Sequence, residues 1–170
     1  TWKHKKTYGA YFGYYLVRLD QILIDGAALD LRREDLNSIG GVLVDSGTTM
    51  LYLPSAANEA MQKELESYFD DDTTSAAEAF FRMATCLPGD AAARLPAITL
   101  VLDAYDLVLS PREYTLLYGE DCYYWGVESS DVGIIGNVAL RNRLVVFDQD
   151  ENRIGFAECA ERQEEEEEEE

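Results

Sequence analysis

One aspartate in the 170-residue sequence occupies a position suited to chemistry. Asp45 follows the apolar run Val42-Leu43-Val44 and precedes Ser46-Gly47-Thr48-Thr49. A carboxylate at the end of a buried strand is partly removed from water, so its surroundings must satisfy or retune its charge. The glycine permits a tight turn beside the carboxylate, and the three hydroxyls can orient its oxygens. The same pattern also fits an ordinary strand-to-turn motif in which the aspartate accepts hydrogen bonds from the amides that follow it.

Other hydrolytic machinery is hard to build from this composition. His4 is the sole histidine and stands near the start of the sequence, where it is poorly placed to pair with a serine or cysteine nucleophile. Cys86, Cys122 and Cys159 show no C-x-x-C spacing, and they leave an odd thiol if two of them pair. We therefore expect neither a metal nor a cofactor, and carboxylates remain the candidates for catalysis.

The charge balance excludes one class of partner. The formal net charge is −19, and the chain remains acidic without the seven consecutive glutamates over 164–170. An acidic surface repels nucleic acid and anionic lipid, so we expect no nucleic-acid binding. The glutamate run predicts a solvated, disordered tail. We find no apolar run long enough to span a bilayer and no signal peptide, and the opening residues read as the middle of a longer protein.

Short runs of apolar residues at regular spacing predict a mainly β protein, as in a barrel or sandwich. Asp25-Gly26 predicts a hairpin turn after a strand containing Ile22 and Ile24, with a return strand through Leu29 and Leu31. Further strands are predicted over 15–19, 42–44, 98–102, 107–109, 122–127, 144–147 and 153–157. Helices are predicted over 56–69 and 76–83.

Several ordered landmarks resemble pepsin-like aspartic proteases. Val44-Asp45-Ser46-Gly47-Thr48-Thr49 resembles their catalytic Asp-Thr/Ser-Gly-Thr/Ser loop, and Leu51-Tyr52-Leu53-Pro54 then leads into a helix, as it does after the second such loop. Val132-Gly133-Ile134-Ile135-Gly136-Asn137 is similar to the segment that completes the ψ-shaped loop behind the aspartate. The closing strands are matched by Val145-Val146-Phe147-Asp148 and Asn152-Arg153-Ile154-Gly155-Phe156-Ala157. The resemblance extends from about Tyr15 to Cys159.

The resemblance implies the C-terminal lobe of a pepsin-like double-ψ β-barrel with one or two short helices. The lobe would occupy 15–160, after an inter-lobe linker and first strand region over 1–14 and before the acidic tail over 161–170. Cys86 and Cys122 fall where this lobe carries its disulfide. Cys159 stands where some relatives bridge to the other lobe, with a free thiol as the alternative. Such disulfides predict a secretory, vacuolar, lysosomal or extracellular protein, and a membrane anchor could follow the chain.

The same resemblance implies roles for the loop. Asp45 would be the second of two catalytic aspartates in an endopeptidase, with Ser46 bracing the two loops, Gly47 leaving room for a substrate backbone and Thr48 bonding the carboxylate. The other supporting residues implied are Thr49, Ile134, Ile135 and Gly136. The partners would be an N-terminal lobe carrying the first aspartate and a peptide substrate. The alternative is a non-catalytic, pepsin-like binding module.

Overall fold

The computed structural model describes residues 3–6, 14–69, 74–103 and 105–159, and strands dominate this part of the chain. The strands are β1 (Lys3–Lys6), β2 (Tyr15–Val17), β3 (Leu19–Ile24), β4 (Ala27–Ala28), β5 (Val42–Val44), β6 (Leu51–Leu53), β7 (Ile98–Leu102), β8 (Tyr105–Leu109), β9 (Thr115–Tyr118), β10 (Cys122–Trp125), β11 (Val127–Ser129), β12 (Ile134–Ile135), β13 (Arg143–Asp148) and β14 (Arg153–Glu158). The predicted mainly β class is confirmed. The predicted tail over 161–170 lies outside the described residues.

Five strands form the sheet that carries the predicted active-site loop, in the order β11-β6-β12-β5-β2. The short strand β12 lies between β5 and β6, which are consecutive in the chain. It runs parallel to β5, with Ile134 opposite Leu43, and antiparallel to β6, with Ile134 also opposite Tyr52. A later segment therefore separates two strands joined by one loop, which is the ψ-shaped arrangement that the resemblance to pepsin-like proteases implied.

Three further sheets complete the fold, in the orders β1-β14-β13, β4-β3-β7-β8 and β10-β9. The predicted hairpin of β13 and β14 is confirmed, with Arg143 opposite Glu158 and Asp148 opposite Arg153. The turn at Asp25-Gly26 is also present. Both of its residues adopt positive φ angles, as a tight hairpin connection requires.

Two strand predictions were wrong in extent. The return strand after the first hairpin ends at Ala28, because the Leu31 N–H turns back to the Leu29 carbonyl oxygen and leaves the ladder. The single strand predicted over 122–127 is divided at Gly126 into β10 and β11, which belong to different sheets. A Cβ at Gly126 would lie 2.7 Å from the Tyr114 carbonyl oxygen, so the chain approaches its neighbour too closely there for a side chain.

The helices are short. They are α1 (Arg33–Leu36), α2 (Ser55–Leu65), α3 (Thr74–Phe81), α4 (Gly89–Ala92) and α5 (Asn137–Leu140), with 3₁₀ turns at Glu66–Tyr68 and Pro111–Glu113. The two predicted helices correspond to α2, extended by its 3₁₀ turn, and to α3. The one-turn helices α1, α4 and α5 were not predicted, because four residues are too few to show a helical period. Within the described ranges, no helix is long and apolar enough to cross a bilayer.

The predicted disulfide between Cys86 and Cys122 is confirmed, and it joins residues 36 apart in sequence. Such a link removes freedom from the unfolded chain by an amount worth about 3–4 kcal/mol. Replacing both cysteines with serine is therefore expected to lower the free energy of unfolding by about 3–4 kcal/mol, measured by urea denaturation. Cys159→Ser is the control, because Cys159 is exposed and is the free cysteine of the described chain. Equal stability of the two variants would contradict the prediction.

Candidate active site

Asp45 follows the last residue of β5 and is held in place first by its own backbone. Its N–H donates to the Ile135 carbonyl oxygen at 3.1 Å, which extends the parallel pairing of β5 with β12 by one residue. Its carbonyl oxygen accepts a hydrogen bond from the Thr48 N–H at 3.2 Å and so closes the turn that follows. The strand is buried at Val42 and Val44, whereas Asp45 is half-buried at the surface of the sheet. The buried strand β5 therefore places the Asp45 carboxylate at an accessible position.

Both oxygens of the Asp45 carboxylate accept hydrogen bonds from its own loop. The Gly47 N–H donates to Oδ1 at 2.9 Å, and the Thr48 hydroxyl donates to Oδ2 at 2.6 Å. A Cβ on Gly47 would lie 3.2 Å from Oδ1, so the glycine leaves this side of the carboxylate uncovered. The turn thus orients the carboxylate and leaves it accessible, and its Gly47 contact is one that an ordinary strand-to-turn aspartate also makes.

These contacts lower the pKa of Asp45 below its ordinary value. The Thr48 hydroxyl contributes most, the Gly47 N–H adds to it, and partial burial opposes both. Because the folded-state pKa lies below that of the unfolded chain, Asp45 stabilises the fold at pH values above the ordinary pKa. That contribution is lost as the pH falls through the folded-state pKa. The isolated loop therefore favours an ionised Asp45.

Thr48→Val is expected to raise the pKa of Asp45 toward its ordinary range, because valine lacks the hydroxyl that donates to Oδ2. The measurement is a pH titration of the Asp45 carboxyl carbon by NMR. Thr49→Val is the matched control, since the Thr49 side chain is exposed and the pKa shift of Asp45 is not caused by it. An unchanged titration in Thr48→Val would mean that the hydroxyl does not set the pKa.

The loop is attached to the first turn of α5. The Asn137 N–H donates to the Thr48 carbonyl oxygen at 2.7 Å, and the Val138 N–H donates to the Thr49 carbonyl oxygen at 2.9 Å. Gly136 immediately precedes these donors and is buried against the loop. A Cβ at Gly136 would overlap the Met50 carbonyl oxygen and lie 2.7 Å from that of Thr48. This close approach explains why glycine occurs at that position.

The structure brings most of the predicted site residues together. Ile134 and Ile135 form β12 beside β5, with Ile135 buried and Ile134 half-buried, so they support the loop from behind. The side chains of Ser46 and Thr49 are exposed on the loop, and Thr49 contributes through its backbone carbonyl. The brace expected from Ser46 stays a prediction, because its expected partner belongs to another lobe.

Sequence reasoning missed Tyr14 as a neighbour of the site. Strand β2 runs antiparallel to β5 and places Tyr15 opposite Val44. If this register is continued by one residue, Tyr14 lies opposite Asp45. Tyr14 is 58% exposed, which leaves its ring available at the edge of the site. Only the register between the two strands reveals this proximity, and the alternating pattern of the sequence does not fix that register.

Cys159 lies away from the Asp45 loop, just after β14. Its N–H donates to the Asn142 carbonyl oxygen at 3.2 Å. The residue lines an open cavity of about 790 Å³ together with Ser110, Glu113 and Arg143. An exposed thiol at such a position is accessible to another chain or to another part of a longer protein.

Comparisons with known proteins identify the family of the chain. The family model described as "Xylanase inhibitor C-terminal" matches residues 14–158. Cathepsin D from Homo sapiens is 31% identical over 157 residues, which cover 86% of this chain and 34% of that protein. Aspartic proteinase nepenthesin-1 from Nepenthes gracilis is 28% identical over 137 residues, which cover 79% of this chain and 31% of that protein.

Pepsin A from Sus scrofa is similar to the same extent, with 28% identity over 156 residues that cover 87% of this chain and 36% of that protein. The chain thus spans about a third of the length of the curated relatives it matches. The matched region contains the Asp45 loop, the ψ-shaped arrangement of β5, β12 and β6, and the closing hairpin. The chain therefore belongs to the xylanase inhibitor C-terminal family, which represents the C-terminal lobe of pepsin-like aspartic proteinases.

Proposed function

We propose that this chain supplies Asp45 as one of two catalytic aspartates in an endopeptidase that hydrolyses peptide bonds with an activated water. The observation that carries the proposal is the Asp45 carboxylate itself. It is accessible at the end of a buried strand, and both of its oxygens are oriented by the Gly47 N–H and the Thr48 hydroxyl. Catalytic carboxylates need such fixed geometry, because misplacement of the reacting group by about 1 Å can cost about a hundredfold in rate.

The chemistry requires a second carboxylate. Two adjacent aspartates cannot both ionise cheaply, so they share one proton and titrate as a unit. The ionised member takes a proton from a water molecule, which attacks the scissile carbonyl carbon. The protonated member donates a hydrogen bond to the carbonyl oxygen and stabilises the tetrahedral centre. The Thr48 and Gly47 contacts lower the pKa of Asp45 within its own loop, but in the pair neither role belongs permanently to one aspartate.

The second aspartate would come from an N-terminal lobe. One carboxylate cannot be acid and base at once, and the relatives are about three times as long as this chain. Cys159 would then form a disulfide with that lobe, which the exposed thiol permits. Mass mapping of the complete gene product under non-reducing conditions tests this point. A Cys159 that remains a free thiol in the native protein would contradict the bridge.

Peptide cleavage by the complete gene product at mildly acidic pH, with and without pepstatin, tests the proposal. Inhibitable cleavage is expected. A folded, two-lobed protein that cleaves no peptide would contradict it.

The Cys86–Cys122 disulfide also supports maturation in an oxidising compartment such as the secretory pathway, because cytosolic proteins rarely keep structural disulfides.

A second candidate function is a pepsin-like binding module without hydrolysis. It is favoured by one observation, namely that the family model matching residues 14–158 is named for an inhibitor. The complete Asp45 loop, with its oriented carboxylate, favours the enzyme. The residue at the first aspartate position of the N-terminal lobe discriminates between the two functions. A replacement of that aspartate by a residue that cannot ionise would favour the binding module.

A further inference from the structure

A buried ion pair lies at the far end of α5 from the Asp45 loop. Arg143 Nη1 donates to Glu113 Oε1 at 2.6 Å, and the two side chains are 5% and 9% exposed, respectively. Buried ion pairs are costly to desolvate, so their presence is weak evidence that they serve stability alone. We therefore ask which local arrangement of the backbone the Arg143–Glu113 pair fixes.

Further contacts fix the orientation of both members. Glu113 Oε2 accepts hydrogen bonds from the Ser110 N–H and the Ser110 hydroxyl, each at 2.8 Å. The Arg143 guanidinium also donates to the Val108 carbonyl oxygen. The carboxylate is thus held by a 3₁₀ turn and the guanidinium by β8, so the pair has little freedom to rotate.

Arg143 connects this pair to the C-terminal end of α5. Its Nη1 lies 3.1 Å from the Arg141 carbonyl oxygen and 3.4 Å from that of Ala139. The other end of the same helical turn donates the Asn137 and Val138 N–H groups to the loop that contains Thr48. One helical turn of four residues therefore joins the buried ion pair to the hydrogen-bond partner of Asp45.

We propose that Arg143, oriented by Glu113, is a positioning residue for Asp45, because it fixes α5 and through it the Thr48 hydroxyl. The inference rests on the proposed function, since Asp45 is taken as the catalytic carboxylate. Arg141 also anchors this end of the turn, because its guanidinium donates to the Val138 and Thr115 carbonyl oxygens. Loss of Arg143 removes part of that anchoring and lets the turn shift along its axis. Such a shift would displace the Thr48 carbonyl, which accepts from the Asn137 N–H. The hydrogen bond from the Thr48 hydroxyl to Asp45 Oδ2 would then lengthen.

The test uses a variant that keeps the core intact. Arg143→Met alone would leave the Glu113 carboxylate buried and unpaired, which is strongly destabilising. The double variant Glu113→Gln/Arg143→Met removes both charges with little change in volume, and is the one to measure. Arg153→Met is the control, because Arg153 pairs with Asp148 at 2.6 Å at the turn end of the β13–β14 hairpin, which is the opposite end from Arg143.

The first readout is the NMR titration of Asp45 in the chain, which does not depend on proteolysis. The double variant is expected to raise the Asp45 pKa toward its ordinary range, while Arg153→Met leaves the titration unchanged. The second readout is kcat for peptide cleavage by the complete protein, with an expected loss of about 10–100-fold and little change in KM. Arg143→Lys keeps a positive charge beside Glu113 but lacks the forked guanidinium contacts. Its Asp45 pKa and its kcat are therefore expected to lie between those of the wild type and those of the double variant.

A folded double variant whose Asp45 titrates as in the wild type would overturn the inference. Absence of cleavage by the wild-type protein, combined with the expected titration shift, would overturn the proposed function and leave the coupling between Arg143 and Asp45 supported. The two failures are therefore distinguishable. Thermal unfolding of each variant shows that the protein under comparison is folded.

Discussion

Peptide cleavage by the complete protein is expected to fall by about a thousandfold or more when Asp45 is replaced by asparagine. Asparagine has nearly the same shape, and its side-chain oxygen can still accept the hydrogen bond from the Gly47 N–H. It cannot carry the negative charge or take a proton from water, so the substitution removes the acid–base step while leaving the loop in place. The rate is measured with a fluorogenic peptide, and the fold is checked by circular dichroism.

Asp131→Asn is the matched control for this experiment. Asp131 lies on the exposed loop before β12, and its backbone carbonyl accepts a hydrogen bond from the Ser38 hydroxyl. The same chemical change there is expected to leave the cleavage rate unchanged, because the side chain is outside the Asp45 hydrogen bonds. A folded Asp45→Asn variant that cleaves as fast as Asp131→Asn would remove Asp45 from the reaction.

Gly136→Ala is expected to lower the free energy of unfolding by about 3 kcal/mol, and to reduce cleavage as well. The added Cβ would overlap the Met50 carbonyl oxygen and lie 2.7 Å from the Thr48 carbonyl oxygen. Both obstacles are backbone atoms, so rotating a side chain cannot relieve the clash and the loop itself must move. Urea denaturation measures the stability, and the Asp45 titration reports the displacement of Thr48.

The glycine at the other end of β12 provides a graded comparison. A Cβ on Gly133 would meet the side-chain methyl groups of Val42 at 3.0 and 3.1 Å. These contacts are tight but involve a side chain, so Gly133→Ala is expected to cost about 1 kcal/mol. A larger loss for Gly133→Ala than for Gly136→Ala would show that the approach of Gly136 to the loop is not the dominant constraint.

Much of the fold could be predicted from local pattern. The closing hairpin and the strands on either side of the Asp45 loop follow from apolar runs bounded by turn residues. The errors occur where a distant residue determines the outcome. The strand predicted over 122–127 is interrupted because Gly126 passes against the Tyr114 carbonyl, which no local window reveals. The return strand through Leu29 and Leu31 is shorter than predicted, because a local turn competes with the ladder.

The residues that form the site could be predicted from the sequence, but the contacts that hold its loop in place could not. The types and order of the residues from Asp45 to Thr49 indicate a carboxylate with donors around it, and the structure adds which donor meets which oxygen. The pair of Glu113 and Arg143 was missed because its members are 30 residues apart and neither stands in a recognisable motif. Tyr14 was missed because its proximity to Asp45 depends on strand register.

The insertion of β12 between β5 and β6 also constrains how the chain folds. The hydrogen bonds that hold the Asp45 loop join segments roughly ninety residues apart, and closing so long a loop is entropically unfavourable until its contacts form. During synthesis, the hydrogen bonds of the loop cannot all form until the chain as far as Val138 has left the ribosome. We expect the local hairpins to form early and the geometry of Asp45 to be acquired late. The topology that builds the site thus predicts slow folding, because its contacts join distant parts of the chain.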